Sequence, residues 1–171
     1  KYRGDERDYT YNQVLGAFAN SAGICGKLAF AEDDHRPAFA KAATTMMATR
    51  DEWHDEMFFR RNFAQVLTHG QHMWWYSLSP EWFREEKRQT IAGDLHRAGV
   101  KAIQVDRSPV SEVAVVVDEP SICAMRLNPA LQETLILESF SSCFPTGVPF
   151  EYYELHSFLK HADHSRFKVV I

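Results

Sequence analysis

The stretch Gly26 to Arg36, GKLAFAEDDHR, carries the residues best suited to chemistry. An apolar run, Leu28 to Ala31, gives way without a turn residue to three carboxylates, Glu32, Asp33 and Asp34, followed by His35 and Arg36. Apolar runs of that length read as buried strands. In α/β sheets, function collects where strands emerge at their carboxyl ends. A second run, QHMWWYSL (71–78), ends in Trp74, Trp75 and Tyr76. Carboxylates beside indole faces suit a sugar: acids carry out glycosidic chemistry, while rings cover the apolar C–H face of a pyranose. Because successive strand residues point to opposite faces, one Trp is expected in the site and the other in its shell. A plainer reading stands beside this one. Glu32 to Asp34 would cap the following segment or pair with Arg36, and the Trp pair would be ordinary core.

The elements that position these residues follow from periodicity. Residues 8–22 have Tyr11, Val14, Leu15, Phe18 and Ala22 at helical spacing. Gly23 and Gly26 bracket a turn, and a short strand over 27–31 ends at the acids. Thr49 and Glu52 have capping-box spacing, with Trp53, Met57, Phe59, Phe63, Val66 and Leu67 as a buried stripe and Gly70 as the stop. After the strand 71–78, Ser79 and Pro80 read as an N-cap and first-turn proline of a helix that Gly99 closes. Helix, strand, helix, strand, helix, with connections too long for hairpins, fits parallel strands with helical crossovers.

A joint at VDRSPVS (105–111) separates this from a second pattern. EVAVVVDE (112–119) is the β-branched run of a parallel strand buried on both faces. Asn128 and Pro129 open a helix, and Pro145 and Gly147 end the helical region. PFEYYEL (149–155) is a strand, a helix covers 157–162, and FKVVI (167–171) is a third strand. This βαβαβ order is the opening half of a doubly wound sheet.

Composition bounds the function. The 171 residues have a net charge of −4 and 45% hydrophobic residues, which suits a globular chain and gives no basic patch for nucleic acid. Cys25, Cys123 and Cys143 are widely spaced and fit free thiols in a reducing compartment. No zinc spacing, P-loop, dinucleotide fingerprint, signal peptide or membrane-spanning run is present. The reading therefore expects no metal, cofactor, membrane or nucleic-acid partner, and favours the cytoplasm. Opening on Lys1 and ending within a strand, the chain is expected to be a segment of something longer.

These residues are similar to a known family. GKLAFAEDDHR, MFFRRNFAQVLTHG and QHMWWYSLSPEWF resemble the end of the catalytic barrel in glycoside hydrolases like the family 42 β-galactosidases. SEVAVVVDEPS and GVPFEYYELHSFLKHADHSRFKVVI resemble the start of the β-galactosidase trimerisation domain, which is related in fold to class I glutamine amidotransferases. The resemblance implies an α/β chain with two parts. Residues 1–105 would be the last two strand–helix units of a TIM barrel, and 110–171 the first half of a doubly wound, flavodoxin- or amidotransferase-like parallel sheet. It implies that Glu32, at the end of the seventh barrel strand, is the nucleophile of a retaining hydrolase. Trp74 or Trp75 would line the sugar subsite, with Asp34 and Arg36 ordering site and substrate. The partners implied are a carbohydrate and, through the second part, other copies in a trimer. The acid/base would come from the fourth barrel strand, so residues 1–171 alone are expected to be inert. The competing expectation is a non-catalytic carbohydrate-binding or assembly module.

Overall fold

The computed structural model describes residues 19–33, 36–39, 49, 51–77, 80–125, 129–132, 134–135, 139 and 142–171. The helix expected from residue 8, the N-cap residues Ser79 and Asn128, and the candidates Asp34 and His35 fall wholly or partly outside them. The chain is mixed α/β, with parallel strands in two small sheets. It divides into two compact units. One holds the described residues of 30–108, and the other holds 19–29 together with 109–171. The division at Ser108 falls within the expected joint. The segment 19–29, grouped by sequence order with the first part, instead packs within the second unit.

In the first unit, β1 (Phe30–Asp33) pairs in parallel with β2 (His72–Trp75) through the crossover helix α2 (Glu52–Thr68). Glu32 and Asp33 are strand residues, so β1 runs into the acids instead of stopping before them. Asp51, not Thr49, caps α2, accepting a hydrogen bond from the His54 amide at 2.9 Å. Gly70, with φ of 66°, ends the turn after α2, in a left-handed conformation that glycine adopts without steric cost. A 3-10 turn at Pro80–Phe83 precedes α3 (Glu86–Ala102). Gly99 does not close α3 but lies within it. A Cβ there would sit 3.4 Å from the Phe63 ring, so its small size is what α2–α3 packing uses. Phe59, Ile91 and Leu95 are buried between the helices and the sheet, with Phe63, Trp75 and Phe83 against them. Ala31 and Val66 form a second contact, with Met73 packed on it.

In the second unit, β3 (Val113–Val117) is central, with β4 (Phe150–Glu154) and β5 (Val169–Val170) parallel on either side. Ile171 continues β5, its carbonyl accepting from Val116 N at 2.8 Å. Both faces of β3 are covered, which explains its unbroken apolar run. Val115 and Val117 pack with Phe150, Tyr152 and Ile122 of α4 (Glu119–Ala124). Ala114, fully buried, packs on the other side with Tyr153 and with Phe158 of a later helix. Between these come α5 (Pro129–Gln132) and a 3-10 turn at Phe144–Thr146. The later helix is α6 (Leu155–His161). The helix α1 (Ala19–Ile24) lies against β4. Tyr152 N donates to Asn20 Oδ1 at 2.9 Å and Glu154 N to Ser21 Oγ at 2.8 Å. These amides alternate along the β4 edge that β3 does not use, so α1 satisfies donors that an edge strand leaves open.

Candidate functional site

Strand alternation sorts the first unit's candidates onto two faces. Ala31 and Asp33 are buried, while Phe30 and Glu32 are exposed. On β2, Met73 and Trp75 pack toward the helices, and Trp74 is 46% exposed. The pairing register sets Glu32 opposite Trp74 and Phe30 opposite His72. The Phe30 and His72 rings stack with centroids 5.2 Å apart. Trp74 meets Tyr76 edge-on at 5.5 Å. One carboxylate thus stands on an outward face flanked by four rings, at the carboxyl end of a parallel pair. Among the described residues, Glu32 has no ion-pair or hydrogen-bond partner. It belongs to neither a helix cap nor the core.

The other candidates occupy different environments. Trp75 turns inward, its ring 5.6 Å from that of Phe59, so the shell ring is Trp75 and the outward ring Trp74. Asp33 is 4% exposed and on the helix side, and its carbonyl accepts from Tyr76 N at 2.9 Å. Asp34 lies outside the described residues. The Arg36 carbonyl accepts from Thr49 N at 2.9 Å, tying the chain after β1 to the start of α2. Phe30 and His72 were not singled out for the site from sequence, and Tyr76 was named there only as part of the strand end. Their signal is the same period of two: His72, Trp74 and Tyr76 fall on one face as soon as the strand is placed.

Elsewhere, acids serve local structure. Asp118 closes β3 and caps α4, accepting from Ser121 N at 3.3 Å and from the Ser121 hydroxyl. Glu151 is buried and accepts from Ser111 Oγ at 2.6 Å, from the Tyr153 hydroxyl and from Arg166. Burial, then the Glu151 hydrogen bond, pushes the Tyr153 phenol well above its ordinary range. Burial also pushes Tyr152 up, to about 12. On α2, Arg60 donates to Glu56 Oε1 at 2.9 and 3.0 Å. Among the described residues, no group of three or more His, Cys, Asp or Glu is placed to hold a metal ion. None of their helices is long and apolar enough to cross a membrane. No family model, curated protein or solved structure matches this chain.

What the outward face can do chemically is limited and specific. A carboxylate on this face can serve as a nucleophile or a hydrogen-bond acceptor. The indole of Trp74 offers a flat apolar surface beside it. Asp33, turned to the other face, cannot straddle a bond with Glu32.

Proposed function

We propose that this chain supplies the nucleophile and part of the sugar-binding wall of a retaining glycoside hydrolase similar to the family 42 β-galactosidases. The observation that carries the reading is the register of Glu32 against Trp74 on one exposed face at the carboxyl end of parallel strands. In this reading β1 and β2 are the last two strands of the barrel, and the face bearing Glu32 and Trp74 is its interior. Glu32 attacks the anomeric carbon while Trp74 covers the sugar's apolar face. A second carboxylic acid, from outside these residues and about 5 Å away, protonates the leaving oxygen and later activates water. The strand order β4-β3-β5 supports the second part of the reading. It is the 2-1-3 order with which flavodoxin-like sheets begin, and such a unit would contribute to a trimer.

One observation favours a second reading, a carbohydrate-binding module without catalysis. Among the described residues Glu32 is the single carboxylate on its strand that faces outward. The test is hydrolysis of a panel of nitrophenyl glycosides, β-galactoside and α-arabinoside included, by the whole protein and its Glu32→Gln variant. Turnover lost in the variant with sugar binding kept supports the hydrolase. Sugar binding with no turnover in either protein supports the module.

A further inference from the structure

Arg88, on α3, is a charged side chain for which the proposed reaction has no use, yet it is 3% exposed. Its Nε lies 2.9 Å from Asp55 Oδ2, and Nη2 donates to Asp55 Oδ1 at 3.1 Å. Its Nη1 donates to the Trp82 carbonyl at 3.0 Å. The guanidinium carbon stands 4.7, 5.4 and 5.9 Å from the ring centroids of Phe59, Phe83 and Phe39. Burial pulls its pKa below the usual arginine value, and the carboxylates of Asp55, Glu85 and Asp33 oppose that pull. The group remains a cation, as arginine does in proteins.

Stability is a weak reason for such an arrangement. A buried ion pair costs several kcal/mol per ion in desolvation, on the order of what its attraction returns, and apolar replacements are often as stable. Geometry supplies a better reason. Thr49 Oγ1 donates to Asp55 Oδ1 at 3.3 Å, and Thr49 N donates to the Arg36 carbonyl at 2.9 Å. The guanidinium therefore reaches the chain after β1 through Asp55 and Thr49. The chain that follows Glu32 is thus referred to one cation held between α2 and α3.

We infer that Arg88 is a positioning residue for Glu32, holding the carboxyl end of β1 and the chain after it at the geometry the reaction needs. The inference rests on the hydrolase reading for its catalytic consequence, and its structural part is measurable without turnover. Whole protein carrying Arg88→Lys, Arg88→Met or Thr49→Val is compared with wild type in kcat, KM and amide hydrogen exchange. A misplacement of about 1 Å costs on the order of 100-fold in rate. Both Arg88 variants should therefore lose about 10- to 100-fold in kcat with KM held within about threefold. Amides of 30–33 and 36 should exchange faster, while those of 113–117 stay as in wild type. Thr49→Val, which leaves the ion pair intact, should move the same quantities in the same direction by less. Wild-type kcat and wild-type exchange at 30–33 and 36 in the Arg88 variants would overturn the inference. Should those variants not fold, unchanged kcat and exchange in Thr49→Val overturn it instead. If wild type hydrolyses nothing, the hydrolase reading fails by itself, and exchange at 30–33 and 36 still decides whether Arg88 holds the segment.

Discussion

The sheet of β3, β4 and β5 is covered on both faces, and the sheet of β1 and β2 is packed by α2 and α3 on one. In the first case acids at strand ends are spent on local structure: Asp118 caps α4, and Glu154 caps α6 by accepting from the His156 and Ser157 amides at 2.7 and 2.8 Å. In the second, Glu32 is left facing outward beside Trp74. Asp118 and Glu32 each follow an apolar run, so sequence context alone makes them look alike. What separates them is what comes next. Glu119 and Pro120 begin a helix at once after Asp118, and the first turn's donors claim its carboxylate. The strand continues through Glu32, and alternation claims its direction. An acid at a strand end is a candidate for chemistry when no helix begins on it.

Substitutions sharpen this contrast, the largest on the packed side of β1 and β2. Phe59, 1% exposed beneath that sheet, should cost about 3–5 kcal/mol when replaced by Ala, read as a lowered midpoint in urea unfolding. Glu151→Ala in the other unit should cost about 2 kcal/mol, because Ser111, Tyr153 and Arg166 lose their acceptor together.

Alkaline pH should act on the same buried strand. Tyr152 and Tyr153 have raised pKa values in the folded state, against about 10 when unfolded. Their contribution is therefore complete below pH of about 10 and declines as pH rises through the folded values, because above that point the unfolded state binds fewer protons. For Tyr152 the decline runs from there to about 12. Melting temperatures taken between pH 9 and 11.5 should fall, and less steeply in Tyr153→Phe. An equal slope in both proteins would assign the decline to other groups.

Smaller effects follow. Asp118→Ala should remove a cap worth about 1 kcal/mol and leave glycoside turnover by the whole protein unaffected. Trp74→Ala should change stability by no more than about 0.5 kcal/mol, because its ring is not part of the core, while weakening sugar binding as followed by titration. A large stability loss there would mean the outward face is core, and the contrast between the two sheets would fail.

Much of this was legible in the residues. The parallel strands, their helical crossovers and the joint near Ser108 follow from periodicity, from β-branched runs and from connection length. Gly70 announced the end of α2, but of its expected stripe only Phe59 and Val66 are buried; Trp53 is exposed, and His54, Asp55, Phe58 and Asn62 are buried on the helix as well. The start of α2 was read from Thr49 because Ser, Thr, Asn and Asp all cap helices and spacing does not rank them. Asp51 caps it, and Thr49 instead bridges Arg36 and Asp55. Gly99 looked like a stop because a helix stop and a close helix contact both call for glycine. The packing of α1 on the edge of β4 was illegible, since it depends on contacts more than 130 residues apart in the chain. At the site, alternation foretold one Trp outward and one inward, but only the register with β1 says that Trp74 is the one beside Glu32.

The measurement that tests the central claim most directly is covalent trapping. The whole protein would be treated with a 2-deoxy-2-fluoro glycoside bearing an activated leaving group, which slows release of the glycosyl–enzyme so that the labelled peptide can be sequenced by mass spectrometry. The account predicts the sugar on the carboxylate of Glu32 and no label in Glu32→Gln. Label on any other carboxylate would contradict it, as would normal turnover by Glu32→Gln.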